Sequence, residues 1–239
     1  MQKGAILAYY VTTQQASVMK DNVPFAAERR TMIEAQLRRR GIRDERVLEA
    51  MFAVPRHEFV PAACVHAAYD DCPLPLGDGQ TISQPYIVAA MTHAARVQPG
   101  DRALEVGTGS GYQAALLASL GARVYTLERN SRLAEEAEAR LARLGYEAVQ
   151  VIEGDGSEGY ALAAPYQVIM VTAAAPEVPA ALLAQLAEGG RMVIPVGSLY
   201  HQDLQLIFKH GNETATKYLD PCQFVPLVGK QGWPETDVW

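Results

Sequence analysis

The sequence predicts an α/β fold: a doubly wound, mostly parallel sheet with an antiparallel C-terminal edge and added N-terminal helices. Three observations carry this. From Arg102 onward, apolar runs of strand length alternate with helical segments, the pattern of parallel strands joined by crossover helices. A glycine-rich stretch, LEVGTGSGY at 104–112, ends the first of those runs and opens a helix. Near the C-terminus two strand-like runs flank Gly211-Asn212, which marks a hairpin and therefore an antiparallel edge.

The elements follow in order. Residues 1–25 show no clear period, so a poorly defined N-terminal extension is expected; its single lysine and short apolar core leave an export signal as the competing reading. One domain is expected over 26–239, with a helical, substrate-side segment at 26–98 and a cofactor-binding α/β core at 99–239. Met32, Ile33 and Leu37 fall at helical spacing, and Gly41 stops that helix. The preceding Arg38-Arg39-Arg40 suits a helix C-terminus, where cations are favoured. Asp44 is a good N-cap for a second helix through Val47, Leu48 and Met51, which Pro55 ends. The stretch 55–85, PRHEFVPAACVHAAYDDCPLPLGDGQTISQP, is too long and apolar for a linker and is expected to pack down and shape a site. A helix should follow Pro85, with Ser83 as its N-cap.

In the core, RALEV (102–106), RVYTLE (123–128), AVQVIE (148–153), YQVIMVT (166–172) and RMVIPVG (191–197) read as strands. The intervening YQAALLASL (112–120), SRLAEEAEARLARLG (131–145) and VPAALLAQLAEGG (178–190) read as helices, the second with Ser131 as N-cap and Gly145 as stop. DLQLIFKH (203–210) and ETATKYL (213–219) form the hairpin, and FVPLV (224–228) is a last apolar piece.

Composition narrows the function. The formal charge of -6 over 239 residues argues against a dedicated nucleic-acid binder, which needs clustered Lys and Arg for phosphates. Cys64, Cys72 and Cys222 are odd in number and lack CxxC spacing, which suits a reduced, cytoplasmic compartment. No apolar run approaches the roughly 18 residues of a membrane span. His57, His66, His93, His201 and His210 show no metal-binding spacing, so no metal is expected.

The glycine loop Gly107-Thr108-Gly109-Ser110-Gly111 leaves the first core strand at its carboxyl end, where ligands sit in doubly wound sheets. A dinucleotide fingerprint would need a further glycine where Tyr112 stands, and no Gly-Lys-Ser/Thr follows for a P-loop. Acids surround the loop instead. Glu105 precedes it; Glu128 ends the next strand, roughly 20 residues on, where an acid accepts ribose hydroxyls. Asp155 follows the third strand within GDG, within reach of an adenine amino group. Such acids would repel a diphosphate but suit a cationic, phosphate-free nucleoside, and S-adenosylmethionine is one. Any one of them alone could equally be a solvated residue or a helix cap.

At this point GQTISQP (79–85), LEVGTGSGY (104–112), GDG (154–156), APYQVIMVTAAAPEVP (164–179), QLAEGGRMVIPVG (185–197) and FVPLV (224–228) together resemble the protein-L-isoaspartate O-methyltransferase family, in order from about residue 28 to 229. The resemblance implies the Rossmann-like fold of S-adenosylmethionine-dependent methyltransferases. It also implies methyl transfer to the free α-carboxylate of L-isoaspartyl residues in damaged proteins and peptides. The ester would then close to a succinimide, which hydrolyses partly to aspartate. It identifies Ser83 as the active-site residue. The expected cofactor residues are Gln80, Thr81, Ile82, Glu105, Gly107, Thr108, Gly109, Gly111, Glu128, Arg129, Asp155 and Gly156. Isoaspartyl proteins would be the partners, and the chain would act as a cytoplasmic monomer. Many members carry His where this chain has Tyr86; no role is assigned to that position.

The chemistry accords with these residues. A carboxylate is ionised at pH 7 and needs no base to attack a sulfonium methyl, so enclosure and alignment can supply much of the rate. Ser83 is expected to hold the carboxylate at a helix N-terminus and not to take a proton. Methyltransferases of amines and amides often carry Asn/Asp-Pro-Pro-Tyr after the fourth strand; this chain has Thr172-Ala173-Ala174-Ala175-Pro176, with no polar clamp for an amine. Three other readings compete: a methyltransferase for a different dedicated acid, a cofactor-binding module without turnover, and, least of all, a nicotinamide dehydrogenase.

Overall fold

The computed structural model describes residues 23–211 and 213–238. Most of the expected 1–25 extension, with the competing export signal, and Asn212 of the hairpin turn lie outside the described residues. The first helix, α1 (Ala26–Thr31), runs on through a wide π turn (Met32–Leu37) and a tight 3-10 turn (Arg38–Arg40) before Gly41 reverses the chain at φ 94°. Met32 and Leu37 are fully buried. Asp44 caps α2 (Glu45–Ala53) by accepting from Arg46 N, and Val54, held extended before Pro55, ends it.

The stretch from Pro55 packs down as expected, through two 3-10 turns (Arg56–Phe59 and Ala62–Ala67). It then forms an unexpected antiparallel hairpin of β1 (Leu74–Gly77) and β2 (Gln80–Ile82). Its signal was Gly77-Asp78-Gly79, three turn residues all at positive φ. α3 (Pro85–Ala95) follows, and here one expectation fails. Pro85 holds the first helical position, so Gln84 is the N-cap, without a side-chain cap bond, and Ser83 falls one residue outside.

The main sheet has seven strands in the order β5-β4-β3-β6-β7-β8-β9. Its members are β3 (Arg102–Val106), β4 (Arg123–Glu128), β5 (Val149–Glu153), β6 (Tyr166–Val171), β7 (Leu186–Gly197), β8 (Gln202–His210) and β9 (Glu213–Cys222). β3 to β7 are mutually parallel, while β8 and β9 add antiparallel pairs, which is the expected doubly wound sheet with its antiparallel edge. The central strands β3 and β6 are buried almost throughout because both faces are covered. The chain steps outward from β3 to β5, then returns to β6 on the other side of β3. The crevice at that reversal is where such sheets bind ligands.

α4 (Tyr112–Ser119) has no polar face and is buried from Tyr112 through Leu117, since it lies between the sheet and the N-terminal helices. α5 (Ser131–Arg143) is amphipathic and buries Leu133, Ala137 and Leu141. Its cap is Asn130, which accepts from Leu133 N, one residue before the expected Ser131. α6 (Ala180–Gln185) is shorter than the sequence suggested: Leu186 pairs with Tyr166 of β6, so the strand captures residues through Gly190 that read as helix.

Candidate active site

The crevice between β3 and β6 opens into a cavity of about 380 Å³. Four groups of residues build it. Gln80, Thr81, Ile82 and Ser83 come from β2 and its exit; Glu105, Gly107, Thr108 and Gly109 come from β3 and the glycine loop. Glu128 and Arg129 end β4, and Gly156 lies beside Val106 and Leu127. The last wall, Phe224 to Val228, is tied to the strand ends by hydrogen bonds from Ala174 N to Val225 O and from Leu227 N to Ala174 O.

The glycine loop is shaped by what it must avoid. Gly107 sits at φ 96°, and a Cβ there would lie 2.4 Å from Thr172 Oγ1. That hydroxyl donates to the carbonyls of Gly107 (2.6 Å) and Val106 (3.0 Å), pinning the loop to the end of β6. Gly107 N and Thr108 N donate to Leu127 O, which ties the loop to β4 as well. Gly111, expected at the ligand, does not line the cavity. Its positive φ and missing Cβ make room for Leu141 of α5, 3.1 Å from where a Cβ would be.

The three acids part company. Glu105 is wholly buried on the cavity wall; burial pushes its carboxyl up to about 8, against the hydrogen bond from Thr126 and helped by Glu128. Thr126 Oγ1 donates to Glu105 Oε2, and Glu105 Oε1 has no partner. Glu128 accepts from Gly109 N (2.9 Å) and Asn130 N (3.0 Å), so it organises the loop; each oxygen keeps a lone pair for a further donor. Asp155 is held differently from the other two. It lies off the main cavity and spends one oxygen on Ser157 N and Oγ and the other on Lys230 N. Burial opposes its ionisation, but these hydrogen bonds prevail and hold the carboxyl below the usual range.

Ser83 lines the cavity, and its carbonyl accepts from Arg56 Nη2 at 2.7 Å. Arg56 went unnoticed in the sequence. It is fully buried, also donates to Ala68 O (2.7 Å), and lies over the Tyr112 ring at 4.9 Å. Burial pulls its pKa down, but a guanidinium stays charged. Its cation therefore fixes the backbone on which Ser83 sits. Tyr86 is also placed: its hydroxyl donates to Asp220 (2.8 Å), its N–H to Asp71 (3.2 Å), and Arg40 stacks on its ring while pairing with Asp71 (2.8 Å). These contacts join the start of α3 to β9 and the end of the first helix.

The glycine cradle, the unpartnered Glu105 oxygen and Glu128 with its spare lone pairs together suit a phosphate-free, cationic nucleoside such as S-adenosylmethionine. Among the described residues no group of His, Cys, Asp and Glu could hold a metal ion. No helix among them is long and apolar enough to cross a membrane.

Comparison with known proteins matches residues 27–232 to the family model of protein-L-isoaspartate(D-aspartate) O-methyltransferase. A protein-L-isoaspartate O-methyltransferase of Koribacter versatilis is 57% identical over 213 residues, covering 89% of this chain and 96% of that protein. One of Methanoregula boonei is 53% identical over 210 residues, covering 88% and 97%. A solved protein-L-isoaspartate O-methyltransferase is similar at TM-score 0.79 and 31% identity, over 85% of this chain and 67% of that one. A Plasmodium falciparum structure assigned to the same activity, in complex with S-adenosyl-L-homocysteine, gives TM-score 0.72 at 28% identity, over 83% and 97%.

Proposed function

We infer the activity from membership: this chain belongs to the protein-L-isoaspartate(D-aspartate) O-methyltransferase family, and it methylates isoaspartyl proteins and peptides with S-adenosylmethionine. The observation that carries the reading is the cavity at the strand reversal, where the GQTISQP segment and the glycine loop face one another across a single space.

Bound there, S-adenosylmethionine supplies an electrophilic methyl group on a sulfonium. Glu105, Gly107, Thr108, Gly109, Glu128, Arg129 and Gly156, with Gln80 to Ile82, would hold it. The chain's own task is then to bring an ionised carboxylate to that methyl and keep water out. Ser83, at the entry to α3, positions the carboxylate by a hydrogen bond from its hydroxyl. Arg56 keeps Ser83 in place through the Ser83 carbonyl. No base is needed, because the α-carboxyl of an isoaspartyl residue is already ionised at neutral pH.

The chain acts as one domain, since the Met32–Leu37 turn and α2 to α4 share a single apolar cluster with the sheet. Its three cysteines are free thiols, which supports a reducing, cytoplasmic compartment. The decisive test offers labelled S-adenosylmethionine and matched isoaspartyl and aspartyl peptides. Methyl transfer to the isoaspartyl peptide alone is expected. Transfer to neither, with a small acid or another peptide accepted instead, would replace the acceptor; binding without transfer to any acid would leave a non-catalytic module.

A further inference from the structure

Arg56 is a buried cation whose hydrogen-bond partners, among the described residues, are all neutral. The side chain is fully buried. Nε donates to Ala68 O (2.7 Å) and Nη2 to Ser83 O (2.7 Å), while Nη1 has no partner. The guanidinium lies 4.9 Å from the centre of the Tyr112 ring. The two carboxylates at the start of α3 are committed to other groups. Asp71 accepts from Tyr86 N (3.2 Å) and pairs with Arg40 (2.8 Å), and Asp220 accepts from the Tyr86 hydroxyl (2.8 Å).

Charged groups are rarely buried unless they are paired, because desolvation is costly. Two carbonyl dipoles and a ring satisfy donors of Arg56 but leave its charge uncancelled. That charge sits at the site already described. Nη2 touches the Ser83 carbonyl and Ser83 lines the cavity, so the cation stands one residue behind the cavity wall. The anion it lacks is the kind of group that Ser83 receives.

We propose that Arg56 is a specificity residue for the charge of the acceptor: without touching the substrate, its uncompensated cation draws an ionised carboxylate to Ser83 in preference to a neutral amide of the same shape. The proposal rests on isoaspartyl carboxylates being the acceptors. It goes beyond the anchoring of the Ser83 backbone, which would serve a charged and a neutral group alike. Peptide surfaces present many amides and few free α-carboxylates, and a fixed charge sorts the two. Such a charge acts chiefly on binding. The acceptor's negative charge is full in the ground state and partly neutralised as the methyl is transferred, so the cation favours the bound carboxylate at least as much as the transition state. Loss of the charge therefore falls on KM, whereas a misplaced Ser83 hydroxyl would fall on kcat.

The test compares an isoaspartyl peptide with its α-carboxamide twin. Both are titrated into the chain saturated with S-adenosylhomocysteine, so that no sulfonium contributes charge. At an effective dielectric constant of about 20, a unit charge about 8 Å away should favour the carboxylate by roughly ten- to a hundredfold in the wild-type chain. Arg56→Met should cut this preference to less than about fivefold, which is what a helix N-terminus alone supplies. It should also raise KM for the isoaspartyl peptide more than it lowers kcat. Arg56→Lys keeps the charge and should keep the preference, even where both peptides bind more weakly. If Arg56→Met does not fold, Ser83→Ala decides: it removes the hydroxyl but leaves the cation, so a preference above about fivefold should persist. Its disappearance in Ser83→Ala would overturn the proposal. So would equal weakening of both peptides by Arg56→Met, a loss falling equally or mainly on kcat, or no preference in the wild-type chain; each leaves Arg56 an anchor only. Failure of the wild-type chain to methylate the isoaspartyl peptide at all would instead remove the acceptor reading beneath it.

Discussion

Replacing Gly107 with alanine should expose how the cofactor loop is locked to the sheet. Two costs arise. At φ 96° an L-residue is strained by about 1–2 kcal/mol. The new Cβ would also stand 2.4 Å from Thr172 Oγ1, so Thr172 must rotate away and abandon the carbonyls of Gly107 and Val106. That adds about 1 kcal/mol. The sum, about 2–3 kcal/mol, corresponds to a Tm lower by roughly 4–12 °C for a chain of this length. Thr172→Ala alone should cost only the hydrogen bond, about 1 kcal/mol. In the double variant the clash has vanished, so the total should stay near about 2–3 kcal/mol and fall short of the sum of the singles by about 1 kcal/mol. Circular-dichroism melts of the three variants measure this coupling. If the singles simply added, within about 0.5 kcal/mol, the pinning of the loop by Thr172 would be wrong. Gly111→Ala is the contrast, since the flexible Leu141 can yield and backbone strain should dominate.

Four further outcomes are expected. Ser83→Ala should fold normally yet lose about ten- to a hundredfold in kcat/KM for an isoaspartyl peptide; an undiminished value in a folded variant removes Ser83 from the mechanism. Glu105 has a raised carboxyl pKa, so the folded, ligand-free chain keeps a proton that the unfolded chain releases above about 4.5. Its contribution is complete below that value and is lost as pH climbs toward 8, so Glu105→Gln should gain on wild type by a few kcal/mol between pH 5 and 8. Parallel stability profiles in urea melts would contradict this. Arg56→Ala strands two buried carbonyls and opens a cavity, and should cost about 3–5 kcal/mol; a Tm close to wild type would count against the anchor. Tyr86→Phe removes one hydrogen bond to Asp220 and should cost about 1 kcal/mol, leaving cofactor affinity unchanged by calorimetry.

Much of the fold was legible because its signals are local. Apolar runs separated by Gly145 and Pro99-Gly100 report strands and stops directly, and the crossover rule then orders them. Boundaries were legible only where a residue enforces them. Pro85 sets the start of α3 but moves the cap from Ser83 to Gln84, and β7 extends backwards to Leu186 because it has Tyr166 to pair with. No pattern within residues 178–190 reports that partner.

The site divides in the same way. By itself the sequence determined the ligand's general character, since glycines at a strand's carboxyl end and acids after successive strands follow from chain order and sheet topology. The recognisable GQTISQP placed Ser83 with them. Only the tertiary structure decided what each residue faces. It turned Asp155 away to Ser157 and Lys230, gave Gly111 to packing against Leu141, and set Arg56 beneath Ser83. It also buried Gln113, a polar residue in an otherwise apolar helix, with one oxygen unpartnered. The physical reason is that hydrogen-bond partners come from segments far apart in the chain, and a donor or acceptor is spent or spare only once those segments have met.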